Sequence, residues 1–130
     1  MAQKPLDQKN NRMNKIYYLS SCSTCARIMK ELGISAEKFT LQDIKTEIIT
    51  ASQLDELKKM AGSYEALFSR VALKYRAMGL DKEILTESDY RKYILSEYTF
   101  LKRPVIVCGK QLFIGNSKKT VAAAKAALSI

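Results

Sequence analysis

Cys22-Ser23-Thr24-Cys25 sits where one periodicity gives way to another, and no other feature narrows the choice of folds as far. Before it, Lys15-Ile16-Tyr17-Tyr18-Leu19 is branched and aromatic, which suits a pleated strand. After it, Ala26, Met29 and Leu32, with Ile28 four residues before Leu32, form a helical stripe that stops at Gly33. Residues 20–24 between them are a polar turn. A second strand is expected within residues 38–44, where Phe39 and Leu41 alternate with polar neighbours. Strand, turn, helix and strand make a β-α-β unit, whose crossover should be right-handed.

Downstream the pattern turns helical. Thr50 and Gln53 form a capping-box pair ahead of Leu54, Leu57 and Met60, and Gly62 interrupts that run. Residues 64–70 read as a short amphipathic piece, and Thr86 with Asp89 marks another helix start before Tyr90, Tyr93 and Ile94. Residues 50–97 therefore look like a helical insertion. Pro104-Val105-Ile106-Val107-Cys108 is an apolar run bounded by Pro and Gly, as a buried strand would be. Gly109-Lys110 supplies a tight turn, residues 111–114 return as a strand, and the Ala-rich residues 120–128 close the chain as a helix. The expected architecture is α/β, in the order β-α-β, helical insertion, β-β-α, which is a thioredoxin-like layout.

A chain of 130 residues suits one domain, expected over residues 14–130. Residues 1–13 are rich in Gln, Asn and Lys without periodicity and read as a disordered extension, with Met13 a candidate native start. They lack the apolar stretch of a secretory signal, and no apolar run reaches the roughly 20 residues that span a bilayer. A cytoplasmic protein with no membrane contact is expected. The formal charge of +9 favours acidic or anionic partners in general. Its positive residues are scattered, without the long run of a nucleic-acid tail, so direct nucleic-acid binding is not expected.

Three cysteines in such a chain do not make a structural disulfide framework. A C-x-x-C pair opening a helix after a strand suits redox chemistry instead. Cys22 would lie at the helix N-terminus, where unpaired backbone N–H groups and the helix dipole favour a thiolate, the nucleophilic form. Cys25, about one turn on, could resolve a mixed disulfide or sulfenic acid formed on Cys22. Two buried cysteines spaced so by chance are the alternative. Zinc would need four ligands, yet the chain adds only Cys108 and no histidine, so no metal and no bound cofactor are expected. Cys108, after three apolar residues, reads as a packing residue. With no histidine, activation of Cys22 falls to the dipole, backbone donors and nearby Arg or Lys.

The segment Tyr17-Tyr18-Leu19-Ser20-Ser21-Cys22-Ser23-Thr24-Cys25, followed by Leu101-Lys102-Arg103-Pro104-Val105-Ile106-Val107, resembles the ArsC/Spx family. So does the insertion, with Leu67-Phe68-Ser69-Arg70 and Met78-Gly79-Leu80. The family includes glutaredoxin-coupled arsenate reductases and the RNA-polymerase-binding regulator Spx. The resemblance implies that Cys22 is the catalytic cysteine and that Arg103 stands beside the catalytic loop. It also implies that Pro104 follows a cis peptide bond and that Arg70 faces the oxyanion; the alternative for Arg70 is a solvated helix-end charge. Ser23, Thr24, Pro104 and Asn116 are the candidate substrate contacts. Two positions depart from the arsenate reductases. Gly115-Asn116 stands where they carry a further arginine, and Cys25 matches the Spx-like pattern rather than theirs. The residue after Cys25 is Ala26 in place of a common family arginine, with Arg27 next.

Two functions follow as expectations. One is a thiol–disulfide reductase in which Cys22 attacks, Arg103 and Arg70 hold an anionic group and Cys25 resolves, with arsenate itself doubtful as substrate. Glutathione, a glutaredoxin or a thioredoxin would supply electrons. The other is an Spx-like regulator, binding the RNA polymerase α subunit, in which the same pair acts as a redox switch.

Overall fold

The branched and aromatic residues after the extension do form a strand, β1, over Asn14–Tyr18. In the computed structural model, which describes residues 14–128, helix α1 follows at Ser23–Leu32. The extension read at residues 1–13 lies outside the described residues. Gly33 ends α1 in the left-handed conformation (φ 68°) that glycine adopts without steric penalty, and its N–H bonds the Lys30 carbonyl. Strand β2 is Thr40–Asp43, β3 is Val105–Cys108 and β4 is Gln111–Ile114. The sheet order is β2-β1-β3-β4, with β1 parallel to β2 and antiparallel to β3. Gly109-Lys110 joins β3 to β4 as a two-residue hairpin loop with Gly109 at φ 62°. A positive φ at the first loop residue alone is the II′ geometry, which matches strand twist and calls for glycine there. Helix α5, Lys118–Leu128, closes the chain. The thioredoxin-like α/β arrangement expected from the sequence is present.

The chain divides into two compact units, one of residues 14–47 with 103–128 and the other of residues 48–102. In the first, Ile16 on β1, Phe39, Ile106 on β3 and Ala124 on α5 form a buried cluster. Met29 and Leu32 of α1, Tyr18 and Phe113 pack around it. Each large apolar side chain so buried contributes about 1.5–3 kcal/mol. This core presses α1 onto the sheet and so fixes where its N-terminus points.

The second unit carries α2 (Ala51–Ala61), α3 (Leu73–Ala77) and α4 (Glu87–Ser96), with single 3₁₀ turns at Glu65–Leu67, Leu80–Lys82 and Tyr98–Phe100. Both expected capping boxes form. The Thr50 and Gln53 side chains each accept the other's backbone N–H at 3.0 Å, and Thr86 and Asp89 do the same at 3.3 and 2.9 Å. Phe68, fully buried, stacks on Phe100 with ring centroids 5.1 Å apart and tilts against Tyr90 at 4.9 Å. The amphipathic piece read at residues 64–70 is helical only over Glu65–Leu67. Ser69 leaves it, its N–H bonding the Phe100 carbonyl at 2.7 Å. No helix among the described residues is long and apolar enough to cross a membrane.

Candidate active site

Cys22 is the N-cap of α1, with extended backbone (φ −94°, ψ 114°) and a sulfur in place of the usual capping oxygen. A cysteine here leaves the first N–H groups of the helix to the sulfur itself. The backbone N–H groups of Thr24 and Cys25 both reach it, as does the Cys25 thiol. The Arg103 side chain hydrogen-bonds the same sulfur from the start of the segment leading into β3. Cys22 is partly exposed, whereas Cys25, one turn inward, is only 1% exposed. Its sulfur meets the backbone of Leu19, the residue just after β1. Three parts of the first unit thus converge on one pair of thiols.

Their acidities separate for stated reasons. Burial pushes the Cys22 thiol up, but the Cys25 backbone, the Cys25 thiol, the Thr24 backbone and Arg103 together outweigh it, and the thiol ends below its ordinary value. For Cys25, burial dominates and the neighbouring Cys22 charge adds to it. The Leu19 backbone and Arg103 only partly oppose them, and its thiol is pushed up to about 11. The surroundings thus favour ionisation of Cys22 over that of Cys25.

The loop ahead of Cys22 is tied down by a residue that sequence reading missed. Asp43, the last residue of β2, lies beside Tyr18 in the parallel register. Its carboxylate accepts the Ser20 N–H at 3.3 Å and the Lys45 N–H at 3.2 Å. The Ser20 hydroxyl also bonds it and is the leading reason its carboxyl sits below the usual range. The Cys22 N–H then bonds the Leu19 carbonyl at 3.0 Å, closing the turn. Only the parallel pairing of β1 with β2 brings Asp43 here, and no local motif signals it.

The other expected site residues are placed as follows. Ser23 is exposed at the first position of α1, and Thr24 follows it. The peptide bond from Arg103 to Pro104 is cis, as the resemblance implied. Asn116 is exposed in the loop after β4, next to Gly115, whose N–H bonds the Pro104 carbonyl at 2.9 Å. Arg70 belongs to the second unit, where it pairs with Glu65 at 2.7 Å and bonds the Tyr90 hydroxyl at 2.8 Å. Cys108, half-buried at the end of β3, sits opposite Gln111 and Asn14 in the sheet. Among the described residues no group of three or more His, Cys, Asp or Glu side chains could hold a metal ion.

A model of the ArsC family matches residues 17–124, from the strand that precedes the dithiol to the closing helix. The chain belongs to the ArsC family. Solved structures agree on the fold. An ArsC-family related protein of Bacteroides fragilis is 19% identical, covering 88% of this chain and 99% of its own at a TM-score of 0.73. A protein of Streptococcus mutans described as a possible arsenate reductase is 25% identical, covering 82% of this chain and 92% of its own at 0.66. An arsenate reductase (ArsC) related protein of Brucella melitensis is 27% identical, covering 85% and 92% at 0.63. No curated protein matches the chain. ArsC-family membership supports a thiol-dependent oxidoreductase-like function, to which a helix-capping dithiol is chemically suited.

Proposed function

We propose that this ArsC-family protein is a thiol–disulfide reductase with Cys22 as nucleophile and Cys25 as resolving thiol. The observation that carries the reading is the hydrogen-bonded pair itself. A partly exposed sulfur receives backbone, thiol and guanidinium donors, and a buried thiol stands one turn behind it. The Cys22 thiolate attacks one sulfur of an oxidised substrate, forms a mixed disulfide and expels the other sulfur as a thiolate, which takes a proton from water. Capping Cys22 removes its negative charge. That charge, and the hydrogen bond to the thiolate, are two of the influences holding the Cys25 proton in place, so Cys25 becomes easier to ionise when it is needed. Cys25 then attacks the Cys22 sulfur, the substrate leaves reduced, and the enzyme carries the Cys22–Cys25 disulfide. Two electrons pass from dithiol to substrate.

Arg103 orients the anionic sulfur and any anionic group bound next to it. Glutathione, a glutaredoxin or a thioredoxin would return the two electrons. Arsenate is the substrate named for some relatives, and two features here point away from it. Asn116 offers no charge where arsenate reductases carry arginine, and Arg70 is already paired with Glu65. The test is a redox titration followed by alkylation and mass analysis, run beside turnover of disulfide and arsenate substrates with glutathione–glutaredoxin and thioredoxin systems. A reversible Cys22–Cys25 disulfide with disulfide turnover is expected. A reversible disulfide without turnover, together with redox-dependent binding to the RNA polymerase α subunit, would instead favour the Spx-like switch. Failure to form the disulfide would remove the resolving role of Cys25.

A further inference from the structure

Beside the dithiol the first unit has a pocket of about 290 Å³ lined by Tyr18, Leu19, Ser20, Ala26 and Met29. None of these side chains is charged. Ala26 and Met29 lie three apart on one face of α1, and Tyr18 and Met29 also pack on the outer side of the Ile16 cluster. The pocket is joined to the nucleophile through its walls. The Cys22 N–H bonds the carbonyl of Leu19, and the Cys22 carbonyl accepts the N–H of Ala26 at 3.2 Å. Residues on both sides of Cys22 in the chain, Leu19 and Ala26, therefore line the pocket and are hydrogen-bonded directly to the Cys22 backbone. The volume is at the lower limit of small-molecule sites, about 300 Å³, and suits a single apolar side chain rather than a whole cofactor.

On the dithiol reading above, we infer that this pocket is a substrate subsite for the apolar residue flanking a cysteine, so that the preferred substrates are peptide or protein disulfides rather than small oxyanions. The pocket separates the two cases. The donors at the Cys22 sulfur, on Arg103 and the helix start, serve an oxyanion and a disulfide alike, whereas the uncharged pocket adds nothing for an oxyanion and adds apolar burial for a peptide chain. A disulfide places a neutral sulfur at Cys22 and carries the chain beside it, which the pocket can grip. In the first step the Cys22 thiolate bonds the peptide sulfur and the other sulfur departs as a thiolate. In the second, Cys25 gives up its proton, bonds Cys22 and releases the peptide sulfur, which regains a proton as a thiol.

The test uses reduced full-length protein and short peptides whose single cysteine is linked to thionitrobenzoate. The low thiol pKa of thionitrobenzoate makes it the leaving group and directs Cys22 to the peptide sulfur. Coloured release is followed at subsaturating peptide. Peptides with Phe or Leu beside the cysteine are expected to react about tenfold faster than those with Ser or Asp, the size of effect that burying one side chain provides. In Ala26→Gln that ratio should fall towards one. Release without preference, or a preference unaltered in Ala26→Gln and equally in Met29→Gln, overturns the subsite and leaves the dithiol chemistry standing. No release from any disulfide overturns the dithiol reading and the subsite with it.

Discussion

The two units of this protein handle polar groups in opposite ways. In residues 48–102 the charged side chains answer one another. Asp55 accepts two bonds from Arg91, at 2.9 and 3.2 Å, and one from the Tyr64 hydroxyl at 2.6 Å. Arg70 is taken by Glu65 and Tyr90, and Lys74 by Glu97 at 2.6 Å. In the sheet unit the donors gather instead on an atom that can lose a proton and form a new covalent bond. The Cys22 sulfur collects two backbone N–H groups, a thiol and a guanidinium. Pairs of permanent charges hold a shape, while donors focused on a titratable sulfur shift its chemistry.

The sharpest way to break this comparison is to remove the focus. Cys22→Ser should cut disulfide reduction by more than about a thousandfold, since a hydroxyl at that site is not a competent thiolate. Its denaturation midpoint should barely move, because Cys22 is partly exposed and a serine hydroxyl at the same helix cap can accept the backbone N–H groups that the sulfur accepts. A core change in the helical unit should do the reverse. Phe68→Ala empties the centre of the Tyr75, Tyr90 and Phe100 cluster and should cost about 3–5 kcal/mol in denaturant unfolding.

Smaller effects sharpen the contrast. Arg103→Met removes one charge-assisted donor from the Cys22 sulfur. It should raise the pH midpoint of Cys22 alkylation and slow that reaction near neutral pH by about tenfold. Asp55→Asn should have the smallest effect, with a definite pH signature. Hydrogen bonds from Arg91 and Tyr64 hold the Asp55 carboxyl down at about 2, against an ordinary 3.8. A depressed carboxyl contributes stability that is full above its unfolded value and lost as pH falls through the folded one. The gap in denaturant midpoint between the natural chain and Asp55→Asn should be full above about pH 5 and close towards pH 2.

Much of this was legible from residue types at fixed spacing. Gly33 as a helix stop, Thr50 with Gln53, Thr86 with Asp89, and the Gly109-Lys110 hairpin are local devices, and each formed where it was read. The dithiol at the start of α1 was legible for the same reason. Boundaries were less so. Helix α1 begins at Ser23, because a cysteine cap carries none of the usual side-chain signal. Helix α5 begins at Lys118 rather than near Thr120. Ser117 caps it, its hydroxyl accepting the Thr120 N–H at 3.1 Å, ahead of any apolar stripe. Helix α3 buries none of its residues and so shows no periodicity to read. Asp43 and the Tyr18–Met29 pocket were hidden because they depend on strand register and on α1 lying against β1. The Glu65 and Tyr90 partners of Arg70 lie 5 and 20 residues away from it.

The most direct test of the central claim is the pH profile of cysteine alkylation in the reduced natural chain, mapped by mass to each thiol. Cys22 should react first, with a midpoint below the ordinary thiol value of 9.0, and Cys25, whose thiol is pushed up to about 11 while Cys22 is free, should react only after it. Cys22 and Cys25 titrating together at the ordinary value, or Cys25 reacting first, would contradict that claim.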